Sequence, residues 1–92
     1  MLLAFLQAKV EGRVQGVYFR SFVKDKAISL GLTGYVRNTI HGEVEVKAEG
    51  DKGKLTELIA HLRTGPPRAK VERVEVAWSD YSGRFASFKI VY

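Results

Sequence analysis

Ninety-two residues suffice for one continuous core but not for a catalytic domain plus a second module, so a single domain over residues 1–92 is expected. There is no cysteine, which excludes disulfides and zinc-thiolate sites and leaves stability to packing and hydrogen bonds. The formal charge of +5 invites an anionic partner, yet Lys and Arg alternate with Asp and Glu along most of the chain, the pattern of a solvated mixed surface rather than a nucleic-acid patch.

The opening residues 1–6 are apolar, but no basic flank precedes them and Gln7 and Lys9 soon interrupt them, so they read as a strand rather than a signal peptide. No apolar run approaches the roughly 20 residues that span a bilayer. A soluble, cytoplasmic protein with no membrane partner is expected. In residues 6–14, Leu6, Ala8, Val10, Gly12 and Val14 alternate with Gln7, Lys9, Glu11 and Arg13, the period of a strand with one buried face. Over residues 19–30 the period changes: Phe19, Phe22, Val23, Ala27 and Leu30 form one apolar helical stripe, and Gly31 is placed for a left-handed C-terminal cap. Residues 34–38 make a short second strand, 39–42 a hairpin loop, and 43–49 an alternating third strand. Its Glu43, Glu45 and Glu49 read as the outer, solvated face rather than as metal ligands.

Asp51 is placed to cap a second helix with Leu55, Leu58, Ile59 and Leu62 as its buried stripe, which Gly65-Pro-Pro67 ends. A fourth strand over residues 73–78 puts Val74, Val76 and Trp78 on one face; after a turn at Ser82-Gly83, residues 88–92 make a short last strand. The order strand, helix, strand, strand, helix, strand predicts an α+β ferredoxin-like βαββαβ sandwich, with both helices on one face of an antiparallel sheet and a short extra C-terminal strand. Many functions share that fold, so it decides none.

Chemistry is expected where the first strand meets the first helix. Free backbone N–H groups at a helix start can face an anion, Gly16 permits a positive φ and close approach of a ligand, and Arg20 carries a permanently charged fork that fits two phosphate oxygens. A right-handed crossover makes the first and second strands parallel, so this loop and Asn38, the chain's one asparagine, fall at the same edge of the sheet. With the third strand between them, the two backbones lie about 10 Å apart, room for a phosphoryl group and one water.

Two segments carry a resemblance. Val10-Glu-Gly-Arg-Val-Gln-Gly-Val-Tyr-Phe-Arg20 is similar to the first acylphosphatase signature, and Gly34-Tyr-Val-Arg-Asn38 followed by Gly42, Val44 and Gly50 resembles the second. Gly65-Pro-Pro-Arg-Ala-Lys-Val71 resembles the family's link to the fourth strand. The resemblance implies hydrolysis of small acyl phosphates to carboxylate and phosphate, with no metal and no cofactor. It implies that the phosphoryl group is held by Arg20 and by the loop amides of Gln15, Gly16, Val17, Tyr18, Phe19 and Arg20, while Asn38 orients the attacking water. A carboxylate leaves without a general acid, so histidine is not required. His41 and His61 are read as surface residues, and Tyr18 as a border of the substrate mouth.

Inorganic phosphate or sulfate is the expected competing anion, and a monomer the expected state. RNA-recognition modules share the element order but stack bases on exposed aromatics of the central strands. Here the outward positions of the first and third strands, Gln7, Lys9, Glu11, Arg13, Glu43, Glu45, Lys47 and Glu49, hold none. A non-catalytic interaction domain on the same scaffold is a third reading that only kinetics separates. One asparagine, one methionine and no cysteine are a depletion of labile side chains that fits a heat-tolerant source.

Overall fold

A computed structural model describes residues 1–92. In chain order the elements are β1 (Leu3–Arg13), α1 (Phe19–Ser29), β2 (Thr33–Asn38), β3 (Val44–Asp51), α2 (Lys52–Thr64), β4 (Lys70–Ser79) and β5 (Phe88–Val91). They form one five-stranded sheet in the order β4-β1-β3-β2-β5. β1 pairs antiparallel with both β3 and β4, and β2 antiparallel with β3. β5 departs from the expected pattern: it runs parallel to β2, from Gly34 opposite Phe88 to Arg37 opposite Val91, so the sheet is mixed. β1 also starts earlier than the alternation predicts, because Ala4, Phe5 and Leu6 are all buried and blur the period, and it ends at Arg13, one residue short of the predicted end.

Both helices cover one face. From α1, Phe19, Val23 and Ala27 are buried, and from α2, Leu55, Leu58 and Leu62. They meet Leu6, Ala8 and Val10 of β1, Val36 of β2 and Val44, Val46 and Ala48 of β3 in a single cluster. Each leucine removed from water there contributes about 1.5–3 kcal/mol. The predicted ends hold. Gly31 takes φ 72° after α1, its N–H donating to the Ile28 carbonyl at 3.0 Å, and the Asp51 carboxylate accepts from the Lys54 N–H at 3.2 Å at the start of α2.

The other face of the sheet is not the solvated surface that the charge pattern predicts. The segment 80–87, between β4 and β5, crosses over it. Phe85 packs against Phe5 and Tyr35 with ring centroids 6.2 and 6.1 Å apart, and Arg84 lies over Phe5 at 4.8 Å. Beneath this strap Glu49 is 1% exposed, its carboxylate accepting from the Ser82 N–H and, at 2.8 Å, from the Ser82 hydroxyl. Burial alone would raise its pKa, but bonds from Ser82 and the N–H groups of Gly83 and Arg84 outweigh it and hold the carboxyl below its ordinary range. Glu45 is also buried; it accepts from the Tyr35 hydroxyl at 2.8 Å and from Arg37 Nε at 2.9 Å. Its pKa is lowered too, since Arg37 and Tyr35 overcome the burial that would raise it. Thus two residues of the predicted outer face are buried acids with dedicated partners, while Glu43 keeps contact with solvent.

Candidate active site

The sheet order creates the site. β1 and β2 both run antiparallel to β3, hence parallel to each other, and Val10 and Asn38 flank the same residue, Val44. On β2 the residues facing the helices are Gly34, Val36 and Asn38, so Asn38 is the last of the series that fills the core, at the point where the sheet ends and α1 begins. A cleft of about 420 Å³ opens there, lined by Gly16, Tyr18 and Arg20 from the loop and helix start, Asn38 from β2, and Ile90 and Tyr92 from the C-terminal strand. The residues expected to share one site, Arg20 and Asn38, therefore do share a cleft.

The loop turns its amides to one side through its backbone. Gly16 has φ 72°, and Tyr18 is the only non-glycine residue with positive φ, at φ 61° and ψ 26°. Val17 between them lies outside that region, an alternation of the kind found in loops whose successive N–H groups can turn toward an anion. None of the structure's hydrogen bonds takes its donor from the main-chain N–H groups of residues 15–20. Tyr18 also occupies the N-cap position without a side-chain cap bond. A tyrosine in the left-handed region costs on the order of 1–2 kcal/mol, strain of the kind that concentrates at ligand sites.

Arg20 is half-buried, with its guanidinium over the Tyr92 ring at 4.8 Å, and no Asp or Glu side chain lines the cleft. A cation held by an aromatic face keeps its full hydrogen-bonding edge for an anion. Opposite it, the Asn38 side-chain oxygen Oδ1 is buried and has no hydrogen-bond partner. An orphaned buried acceptor is rare, and this one belongs to a side chain that lines the cleft.

The remaining loop residues divide. The side chain of Gln15 does not face the cleft; its Nε2 donates to the carbonyls of Thr39 and Glu43, both at 2.9 Å, and ties the loop to the β2–β3 hairpin. Val17 and Phe19 are buried and contribute their side chains to the core. Tyr18, 78% exposed, borders the mouth. His41 is exposed in the hairpin and His61 sits against Phe22, ring centroids 6.4 Å apart, so neither lines the cleft. No group of three or more His, Cys, Asp or Glu residues is arranged to hold a metal ion. Sequence reasoning missed Ile90 and Tyr92, because nothing in residues 88–92 announces parallel pairing with β2. It also missed the tether made by Gln15, a polar side chain in a polar loop.

The sequence model of the acylphosphatase family matches residues 6–90. The chain belongs to the acylphosphatase family. An acylphosphatase of Dehalococcoides mccartyi is 53% identical over 88 residues, which cover 95% of this chain and 97% of the relative. One from Pelotomaculum thermopropionicum is 48% identical over 83 residues, 90% of each chain. The crystal structure of the Bacillus subtilis acylphosphatase superposes with a TM-score of 0.93 at 37% identity, covering 99% of this chain and 100% of that one. The protein is accordingly a hydrolase of the carboxyl-phosphate bond of acyl phosphates, on a ferredoxin-like α+β fold.

Proposed function

We propose that the acylphosphatase reaction takes place in the cleft between Arg20 and Asn38. The phosphoryl group is held by the Arg20 fork and by the N–H groups of residues 15–20, and the Asn38 carboxamide positions the attacking water. The observation that carries this reading is the buried Asn38 Oδ1 without a partner in the cleft that holds Arg20. A water donating to Oδ1 completes that acceptor and directs a lone pair toward phosphorus. The water oxygen then forms a bond to phosphorus as the bond from phosphorus to the acyl oxygen breaks. The electron pair leaves on the carboxylate, and the water proton passes to a phosphoryl oxygen, so carboxylate and inorganic phosphate are released.

An amide is too weak a base to deprotonate water, and none is needed, because a carboxylate with a conjugate acid pKa near 4 departs unassisted. Phosphoryl transfer through a loose transition state asks chiefly for positioning and for charge stabilisation, which this arrangement supplies. On this reading the reaction needs no metal, and phosphate or sulfate competes for the cradle.

The deciding experiment is steady-state hydrolysis of acetyl phosphate and of an ordinary phosphate monoester by the purified protein. Cleavage of the first alone, with competitive inhibition by inorganic phosphate and none by chelators, is expected. Equal cleavage of the monoester, or inhibition by a chelator that added metal reverses, overturns the mechanism. We further place the protein in the cytoplasm as a monomer, in keeping with a cysteine-free chain held together by packing alone.

A further inference from the structure

The two edges of the sheet are unlike. β5 is only four residues long, whereas β4 presents ten residues that pair with β1 on one side alone. An open strand edge carries a row of unpaired N–H and C=O groups, and natural proteins blunt such edges with bulges, charges or proline. The first half of β4 is blunted in this way: the bulge at Glu11/Gly12 leaves Glu72 without an opposite residue, and Glu72, Arg73 and Glu75 are charged. The second half is not. From Val76 to Ser79 there is no charge, no proline and no bulge.

Beside this half a groove of about 700 Å³ runs between β4 and α2. Val76 and Trp78 line it from the strand, the latter 40% exposed. One stripe of α2 lines it from the helix, with Ile59 and Ala60 between Lys52 and Arg63. A second hollow shares Lys52 and Trp78 and extends to Leu2 and Leu3. Neither cation has an acidic partner within 4.0 Å; the Lys52 ammonium lies over the Trp78 ring at 5.2 Å instead.

We propose that this groove docks an extended, acidic segment of another protein, which adds to β4 as a further strand. The open main-chain groups of Val76–Ser79 supply the hydrogen bonds, and alternate apolar side chains of the segment pack against Ile59, Ala60 and Trp78. Charge selects the segment. Lys52 and Arg63 stand about 16 Å apart along the helix axis, a span that a strand covers in about five residues. Acidic side chains on one face of the segment, about four to six positions apart, reach both cations. A second copy of this chain is disfavoured by its +5 charge, and a nucleic acid offers no main-chain partners for a strand edge. The catalytic cleft is lined by Ile90 of β5, at the opposite edge of the sheet, and shares no residue with the groove. Docking therefore leaves Arg20 and Asn38 free, and the inference does not depend on the reading of the cleft.

Trp78 is the chain's one tryptophan, so its fluorescence reports on the groove directly. The probe is the end-blocked peptide Glu-Thr-Val-Thr-Val-Thr-Glu, which puts its valines and glutamates on one face. It is titrated into the purified protein beside a version with lysine in place of glutamate and a version N-methylated throughout. Two exposed cations acting together predict that the acidic peptide binds about tenfold more tightly than its lysine counterpart at low salt, with the difference shrinking at high salt. The N-methylated version, which cannot donate to a strand edge, should not bind. Lys52→Glu/Arg63→Glu should reverse the order of the acidic and lysine peptides. Acyl phosphate hydrolysis by that variant, and by the unaltered protein with peptide bound, should stay unchanged. Equal affinity for the acidic and lysine peptides, retained binding of the N-methylated one, or an unchanged Trp78 signal overturns the proposal. So does inhibition of hydrolysis by the acidic peptide, which would seat it in the cleft. Tighter binding of oligothymidylate would assign the groove to nucleic acid, and a rise in mass with protein concentration that Lys52→Glu/Arg63→Glu alters would assign it to a second copy; either result overturns it too.

Discussion

Replacing Asn38 by alanine separates catalysis from stability in a way the structure makes quantitative. The Asn38 Oδ1 has no protein partner, so removing it breaks no hydrogen bond within the fold. Against this, truncating a half-buried side chain forfeits about 1 kcal/mol of packing. Asn38→Ala is therefore expected to lie within about 1 kcal/mol of the parent, a shift of no more than roughly 4–8 °C in Tm for a domain of this size.

Its chemistry moves the other way. Loss of a group that positions the nucleophile or stabilises developing charge typically costs about 10²–10³ in kcat. That corresponds to about 2.7–4 kcal/mol at 1.36 kcal/mol per decade. Inhibition by inorganic phosphate, which depends on Arg20 and the loop amides, should hardly change. Acyl phosphate hydrolysis, phosphate inhibition and thermal unfolding of one preparation give all three numbers. Retained turnover, or a fall in Tm well beyond that range, refutes the reasoning.

Arg20→Ala should raise KM and lower kcat together, with phosphate inhibition weakened at least tenfold, if the fork contacts the phosphoryl group in both ground and transition states as proposed. Arg20→Lys should recover charge without the bidentate geometry and only part of the activity. Tyr18→Gly should leave stability unchanged or raise it by up to about 1 kcal/mol in urea unfolding, since glycine relieves the left-handed strain at a residue 78% exposed. Glu49→Gln should destabilise the protein at neutral pH by freeing the strap from the sheet. The native carboxyl titrates below its ordinary value of 4.5, so between the two values the unfolded chain binds more protons. Stability there rises with pH. The gap between variant and parent should thus be full above about pH 4.5 and close as pH falls through the depressed native value, as chemical unfolding at stepped pH would measure.

Much of this molecule is legible in its sequence, and the illegible parts have physical reasons. Both helices announce themselves because each buries one clean stripe and ends on a residue suited to its cap, Gly31 for α1 and Gly65 before two prolines for α2. Asn38 and Arg20 could be brought together before any coordinates because handedness and strand order are general rules. Glu45 and Glu49 could not be read as buried. Alternation reports which side of a strand a residue occupies, not whether a later segment covers that side, and the strap over residues 80–87 has no period of its own. The contributions of Ile90 and Tyr92 were hidden for a related reason: the parallel pairing of β5 with β2 follows from where the strap delivers the chain. The strain at Tyr18 has no local cue either, because tyrosine is a poor choice for that backbone and only the surrounding structure enforces it.

The two hydrogen bonds made by Gln15 act as a spacer of fixed length. They clamp the loop of residues 15–20 to the carbonyls of Thr39 and Glu43, on either side of the hairpin that begins one residue beyond Asn38. The gap between the loop that carries Arg20 and the strand end that carries Asn38 is thereby gauged by one side chain instead of being left to two independent loops. Shortening that gauge by a single methylene, as Gln15→Asn does, leaves every group proposed to touch substrate chemically unchanged and alters only their separation. Reaction rates respond steeply to such misalignment, so a side chain turned away from the cleft would set how well the protein works.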